Sequence, residues 1–438
     1  LMHLRLSAIT STLAVPLLAI GCRCPSQHCM PCIPAVPCCC EEAVAPSAPP
    51  DLAGMVPLCA DGPCQLHPLP VPSETFCLIE PGEVQCSAAA NANLANLVRL
   101  ERHWATVIIE CDSRYVGRNT CLRRDLLSLH ESDLRSEAAV AALESFYQLA
   151  ALEAREFYLN RAIEENQASL DRIDQLDNAG LPPEIDRGEI AVALSDLKDK
   201  RLQLQFARLQ LNGQLQQLLN CPSCEFRFYW PHVDWNPNLD PIDVDAQVAL
   251  GLSNRTDMRA LSLVLCRVEK STIRIARGVL NIADEAVGSV EPTEGWIHKL
   301  RCICCNDHEL DVRCQQLRSL YSSSELLATA EVKNATYKIA LQQQRVQLAK
   351  QAVDDREQDL SELLAKRDVE EISIFEINRA RGRLYEAQTM LIDQVASLKI
   401  ARVQLRHTQG LLASDCGWGA TLCCEGPCDG ACVRCAGK

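Results

Sequence analysis

Between residues 88 and 413 apolar side chains recur mostly at helical spacing, and the longest runs come in pairs. The first stretch, "NANLANLVRLERHWATVII", puts Leu94, Leu97, Val98 and Leu100 on one helix face. A short interruption at 111–122, with Gly117 and Asn119, precedes a long run over about 134–176. That run carries Leu143, Phe146, Leu149, Leu152, Phe157, Ile163, Leu170 and Ile173. "DNAGLPPEIDRG", 177–188, predicts a turn, because Gly180 tolerates positive φ and two prolines stop the helix. A second run, 189–219, comes back. The later half repeats the plan with a helix over about 245–286, a Cys-rich interruption over 287–316 and a long helix over 324–366. A break at "RDVEEIS", 367–373, then leads to a last helix over 374–413. The order of elements, more than residue identity, argues a tandem duplication.

The last helix is the most regular. Ile377, Leu384, Leu391, Leu398, Leu405 and Leu412 recur every seven residues, with Ala380, Ala387 and Ala401 three positions on and Val395 in a neighbouring slot. Such a repeat predicts coiled-coil packing with close backbone approach, against a neighbouring helix, another subunit or both. A run of ~40 residues reaches ~60 Å, so two such hairpins make a rod. The expected fold class is mainly α, a tandem repeat of long antiparallel helical hairpins with little or no β. The expected division is a signal peptide at 1–21, a Cys/Pro-rich linker at 22–85, a first helical repeat at 86–220, an aromatic and Pro-rich connector at 221–247, a second repeat at 248–413 and a Cys-rich tail at 414–438.

Composition narrows the function. The 438-residue chain has a net charge of −14, which argues against a nucleic-acid groove, and 4 % aromatics, which favours helices over a thick aromatic core. The histidines are scattered, no HExxH occurs, and no Gly-rich phosphate loop follows a strand, so no enzyme constellation emerges. Abundant Asp and Glu fit solvated helix faces.

The chain has 26 cysteines, and their compartment decides their chemistry. His3 and Arg5 precede an apolar stretch of signal-peptide length, short for a membrane span. It ends in Ala19-Ile20-Gly21-Cys22, similar to a bacterial lipobox, although Ala19 stands where Leu is usual. Cys22 is the expected lipidated residue; an ordinary signal peptide cleaved nearby is the alternative. Neither long hairpin contains a cysteine. They lie in the linker, the inserts (Cys111 and Cys121 in the first), the short helix at Cys266, between the halves and in the tail, and the five tryptophans follow them. In an up-and-down arrangement all these segments meet at the end opposite the hairpin turns. In an exported chain the candidate disulfide cysteines are Cys221, Cys224, Cys302, Cys304, Cys305, Cys314, Cys416, Cys423, Cys424, Cys428, Cys432 and Cys435. Structural metal, from "CPSC", the tail and "CICCNDH" with His308, and redox use stay open alternatives; no metal site and no cofactor is expected.

"ALGLSNRTDMRALSLVLCRVEKSTIRIARGVL", 249–280, resembles the start of a repeat in the TolC-like outer-membrane efflux proteins. The signature residues are Asn254, Arg255, Asp257, Met258 and Arg259. The stretch 374–412 is similar to the family's last helix, with Leu384, Tyr385, Ala387 and Gly410 in register, and 202–219 to its first-repeat counterpart. The resemblance covers about 86–413. It implies a homotrimer whose twelve helices form a hollow periplasmic α-barrel at the outer membrane. It also implies a lipid anchor at Cys22, and tips that meet an inner-membrane pump and a periplasmic adaptor. The family's pore-narrowing acid maps to Glu376; Arg379 takes a second position that can be acidic, and Asp368 lies beside the turn, where the frequent glycine is replaced near Glu370.

Family repeats carry two β-strands between short and long helices, which close an outer-membrane barrel. A spanning strand needs ~9–11 alternating residues. The first insert, 111–133, is too short and charged for two, and the second, 287–316, does not alternate, so a full barrel is expected to be absent or reduced. Two functions follow: a channel component of an export system, or a disulfide-linked envelope scaffold reusing the same α-barrel. Metal sequestration by the cysteines is a third.

Overall fold

The structure is a computed structural model that describes residues 76–111, 118–180, 187–220, 228–290, 303–367 and 373–422. The elements in chain order are β1 (Phe76–Ile79), α1 (Pro81–Asn91), α2 (Asn93–Cys111), α3 (Arg118–Asn178), α4 (Arg187–Leu219) and β2 (Phe228–Pro231), which hold the first repeat. The second follows with α5 (Val244–Asn254), α6 (Thr256–Arg267), α7 (Ile273–Ala283), α8 (Ile303–Arg367), α9 (Ile374–Thr408) and α10 (Leu412–Asp415). The described residues are helical almost throughout. β1 and β2 form a single parallel pair, Phe76 opposite Phe228 and Ile79 opposite Pro231. Asn212 of α4 anchors it, accepting the Tyr229 N–H at 2.7 Å.

The four long helices lie side by side in the order α4–α3–α9–α8. All six heptad positions are buried, Ile377, Leu384, Leu391, Leu398 and Leu405 on α9 and Leu412 at the start of α10. Its partners are α8 and α3 of the same chain. Polar rungs fix the register between them. Asn378 donates to Ser169 at 2.5 Å, Arg381 grips Glu165 at 3.0 Å and Arg155 reaches Asp393 at 2.5 Å. Lys338 donates to Gln404, which donates to Glu144, each at 2.7 Å, crossing three helices in one row.

Helix length divides the molecule. α4 and α9 have 33 and 35 residues, ~50 Å, whereas α3 and α8 have 61 and 65, more than 90 Å. The N-terminal halves of α3 and α8 therefore overrun the four-helix shaft into a head. The head has a core of its own: Leu122 and Leu129 of α3, Leu263 and Val264 of α6, Ile275, Ala276 and Leu280 of α7, and Leu310, Cys314 and Leu317 of α8. No described helix is long and apolar enough to cross a membrane.

Several expectations change. The linker was expected to extend to residue 85, but β1 and α1 begin inside it, and Cys77, Ile79 and Val84 are buried. The missed start signal is Pro81 in the first turn, with the Glu83 carboxylate accepting the Glu80 N–H at 3.2 Å. The single helix expected over 245–286 is three, broken at Arg255, whose φ/ψ of −55°/129° is extended, and again between Arg267 and Ile273. Most of the first insert, from Arg118, belongs to α3, and the second joins α8 from Ile303. Leu122, Leu126 and Leu129, too sparse to read as a strand, fall one turn or two apart on a face that meets the head core. The Cys-rich tail packs as far as Leu422, whose side chain and that of Ala420 lie on the same core.

Candidate functional site

The signature residues converge at the elbow between α5 and α6. Arg255 holds Asp257 in a fork at 3.1 and 2.8 Å and Glu331 of α8 at 2.6 Å, and reaches the Thr408 carbonyl at 3.5 Å. Burial works against its charge, but hydrogen bonds and charges from Asp257 and Glu331 outweigh it and raise its pKa further. Asp257 also accepts the Met258 N–H at 2.8 Å, and Asn254 caps its own turn on the Leu250 carbonyl. Gly410, at φ +71°, closes α9 against this elbow; a Cβ there would stand 2.9 Å from the Asn254 oxygen. Gly251 leaves room for Val332, whose Cγ2 would be 2.8 Å from an added Cβ. Arg259 faces away, lining a 260 Å³ groove with Met258, Tyr321 and Leu422. Leu384 is core, Ala387 packs against it, and Tyr385 lies 6.2 Å from the Tyr158 ring.

The first repeat has the same joint in different residues. The break at Ala92 separates α1 from α2, and Asn220, at φ +43°, closes α4 beside it, its amide 3.5 Å from Asn93. Asn91 donates to the Leu219 carbonyl at 2.8 Å. Here the arginine comes from α3. Fully buried Arg135 binds Glu131, the Ala89 and Ala90 carbonyls and Asn96, beneath the Trp418 ring at 4.0 Å. Each repeat thus closes on its own elbow, which is the duplication expressed as geometry.

At the opposite end, Ser373 caps α9 by accepting the Phe375 N–H. Glu376 and Arg379 are exposed on one face of α9 with Arg383, Glu386 and Met390, a row running up from the tip. Asp368 lies outside the described residues, as do Cys22, Cys221, Cys224, Cys302, Cys423, Cys424, Cys428, Cys432 and Cys435. Cys304 and Cys305 are described only as backbone of the first turn of α8. Cys314 is buried in the head core. Cys416 is bonded to Cys86, with Cα atoms 5.2 Å apart, joining α1 to the end of the second repeat across 330 residues. Cys86 was not among the expected partners, because it sits inside a helix and outside every cluster. Among the described residues no group of three or more His, Cys, Asp or Glu could hold a metal ion.

Sequence reading also missed a charged trio inside the first hairpin. Arg208 of α4 meets Glu153, its Nε at 2.5 Å, and Glu156 of α3. Burial pushes the Glu153 carboxyl up to about 7 against the pull of Arg208. Its only sequence signal is an acidic i, i+3 pair on an apolar face. A folded-state pKa above the unfolded value means the contribution is complete below about 4.5 and is lost as pH rises through 7. Between pH 4.5 and 8 the parent is expected to lose on the order of 3 kcal/mol relative to Glu153→Gln, because His130 and His407, whose pKa values burial lowers, add the opposite slope to both proteins. Identical pH profiles in parent and Glu153→Gln would assign the loss elsewhere.

Among the described residues nothing covers the apolar faces of the shaft's two edge helices. α4 presents Leu202, Phe206 (60 % exposed) and Leu209; α8 presents Tyr337, Leu341 and Leu348 (66 % exposed). The two stripes are level. Lys338 of α8 lies level with Glu144 of α3 across α9, so ~three turns on Leu348 is level with Glu153, which binds Arg208 of α4.

No protein-family model and no curated protein matches this chain. Solved structures do. The Campylobacter jejuni CmeC outer membrane channel is similar over 75 % of this chain and 85 % of its own, at 12 % identity and a TM-score of 0.57. The outer-membrane channel OprN is similar over 75 % and 89 %, at 14 % identity and a TM-score of 0.54. A membrane protein from Pseudomonas aeruginosa aligns over 75 % and 93 %, at 11 % identity and a TM-score of 0.52. With its long paired helices, duplicated elbows and four-helix shaft, the chain has the fold of TolC-like outer-membrane channels.

Proposed function

We propose that this chain is the channel component of an export system, three copies closing edge to edge into a hollow twelve-helix α-barrel at the outer membrane. The observation that carries the proposal is the pair of level apolar stripes on α4 and α8. A four-helix layer with two such edges leaves large side chains in water unless another copy covers both. In that ring the exposed row of α9 lines the lumen at the tip, where Glu376, Arg379 and Asp368 constrict the pore and the hairpin ends meet a periplasmic adaptor and pump. Lipid on Cys22 and the helical head hold the other end at the membrane. The similarity to solved channels supports the fold only; trimer, anchor, partners and a non-enzymatic role rest on this reading.

A disulfide-linked envelope scaffold is the second reading, favoured by helix where the family's repeats carry strands and by the Cys86–Cys416 bond. Light scattering on unreduced protein tests the ring. Parent protein is expected at three chains, and the double variant Phe206→Glu/Leu348→Glu at one, with unchanged helical circular dichroism, because both side chains are exposed in the single chain. A monomeric parent contradicts the ring. Export then separates from scaffolding by phenotype, since a deletion that leaves efflux intact but removes envelope particles supports the scaffold.

A further inference from the structure

The head carries an unpartnered face of its own. α2 rests on α3 through Ala95 and Ala105, which are buried. Its opposite side shows Leu94, Leu97 (62 % exposed), Leu100 and Trp104 (58 % exposed) to water. Leu97, Leu100, Trp104, Val107 and Cys111 fall at alternating three- and four-residue steps, the spacing of a seam that takes another helix. Among the described residues nothing covers it.

The other side of the head offers a match. α8 exposes apolar side chains there too among the described residues, Val312 and Leu326 (73 % exposed), two heptads apart, above the shaft stripe. The levels agree. Arg102 of α2 bonds Ser128 of α3 at 3.1 Å, and Leu122 and Leu129 of α3 share the head core with Leu310 and Leu317 of α8. Ser128 also accepts the Thr421 N–H at 3.2 Å, and the neighbouring Leu422 lines a groove with Tyr321 of α8, so Trp104, two residues from Arg102, stands between Val312 and Leu326 in height on the opposite side of the head. Charge agrees as well: exposed Glu101 borders the α2 seam and exposed Arg318 lies on α8 at that height.

We infer that the head is itself a subunit joint, the α2 seam of one copy packing on the α8 face of the next, with Trp104 as its anchor between Val312 and Leu326. The inference rests on the edge-to-edge ring and extends it to the segment where the family's repeats carry strands. A second copy fits better than lipid, because exposed Glu101 and Glu110 border the seam, on a chain already at −14.

Benzoylphenylalanine in place of Trp104, in the full chain purified without reductant, tests this. Irradiation should join two copies, with the cross-linked peptide mapping to 308–330 of the partner. Adding Leu97→Glu should cut that yield at least tenfold while helix content stays unchanged, since Leu97 is exposed in the single chain. Cross-links within one chain, to lipid, or to another part of a second copy, in a sample that light scattering shows to be trimeric, overturn the head joint and leave the shaft ring standing. A monomeric sample overturns the ring reading itself.

Discussion

Cys86→Ser is expected to lower the unfolding free energy by about 4 kcal/mol. The bond to Cys416 closes a loop with a sequence separation of 330, so its loss returns a large amount of chain entropy to the unfolded state. It also ties α1 to α10, where Leu412 and Ala413 are buried and Gln85 donates to the Leu412 carbonyl at 2.9 Å. Urea denaturation of unreduced Cys86→Ser and Cys416→Ser against the parent measures the effect. The two variants should give the same shift, because each removes the same bond. A midpoint unchanged in both would mean that other contacts alone hold the ends of the two repeats together.

Arg135→Met is expected to cost 3–5 kcal/mol, roughly the range for breaking one side of a buried ion pair. The guanidinium is fully buried and satisfies Glu131, Asn96 and two α1 carbonyls at once. Burial lowers its pKa, with Glu131 opposing, so the charge is held against a desolvation penalty. Removing it strands the carbonyls and leaves Glu131 with Arg102 alone, at 3.3 Å. Methionine keeps the volume, which separates the loss of charge from a cavity. Combined with Glu131→Gln, part of the cost should return, because the uncompensated acid is gone. Combined with Cys86→Ser, the effects should fall short of additive, since Arg135 lies under Trp418 and the disulfide holds Cys416 two residues away. Full additivity would separate the stack from the disulfide.

The helical hairpins were legible because periodicity is a local signal. The seven-residue repeat from Ile377 to Leu412 marks a buried seam, and every position in it is buried. Gly180, at φ +73°, stands where the turn was expected. The head was not legible, because short apolar steps such as Leu122, Leu126 and Leu129 carry few turns of evidence between charged residues. Only α6 and α7, folding back on them, give those positions a core. The elbow was half visible. Asn254, Arg255, Asp257 and Gly410 could be named from their order, but Glu331 and Thr408, which receive the arginine, lie 76 and 153 residues further along. The first-repeat elbow hid completely, since its arginine comes from α3 and its closing residue is Asn220 rather than glycine. Contacts between distant segments leave no mark in spacing.

The central claim is that α4 of one copy meets α8 of the next until the shaft closes. Electron-microscopy class averages of the unreduced, full-length assembly test it most directly. End views should show three-fold symmetry with twelve shaft helices around an open lumen, and side views a helical head above it. Single rods, or a filled bundle without a lumen, would contradict the account.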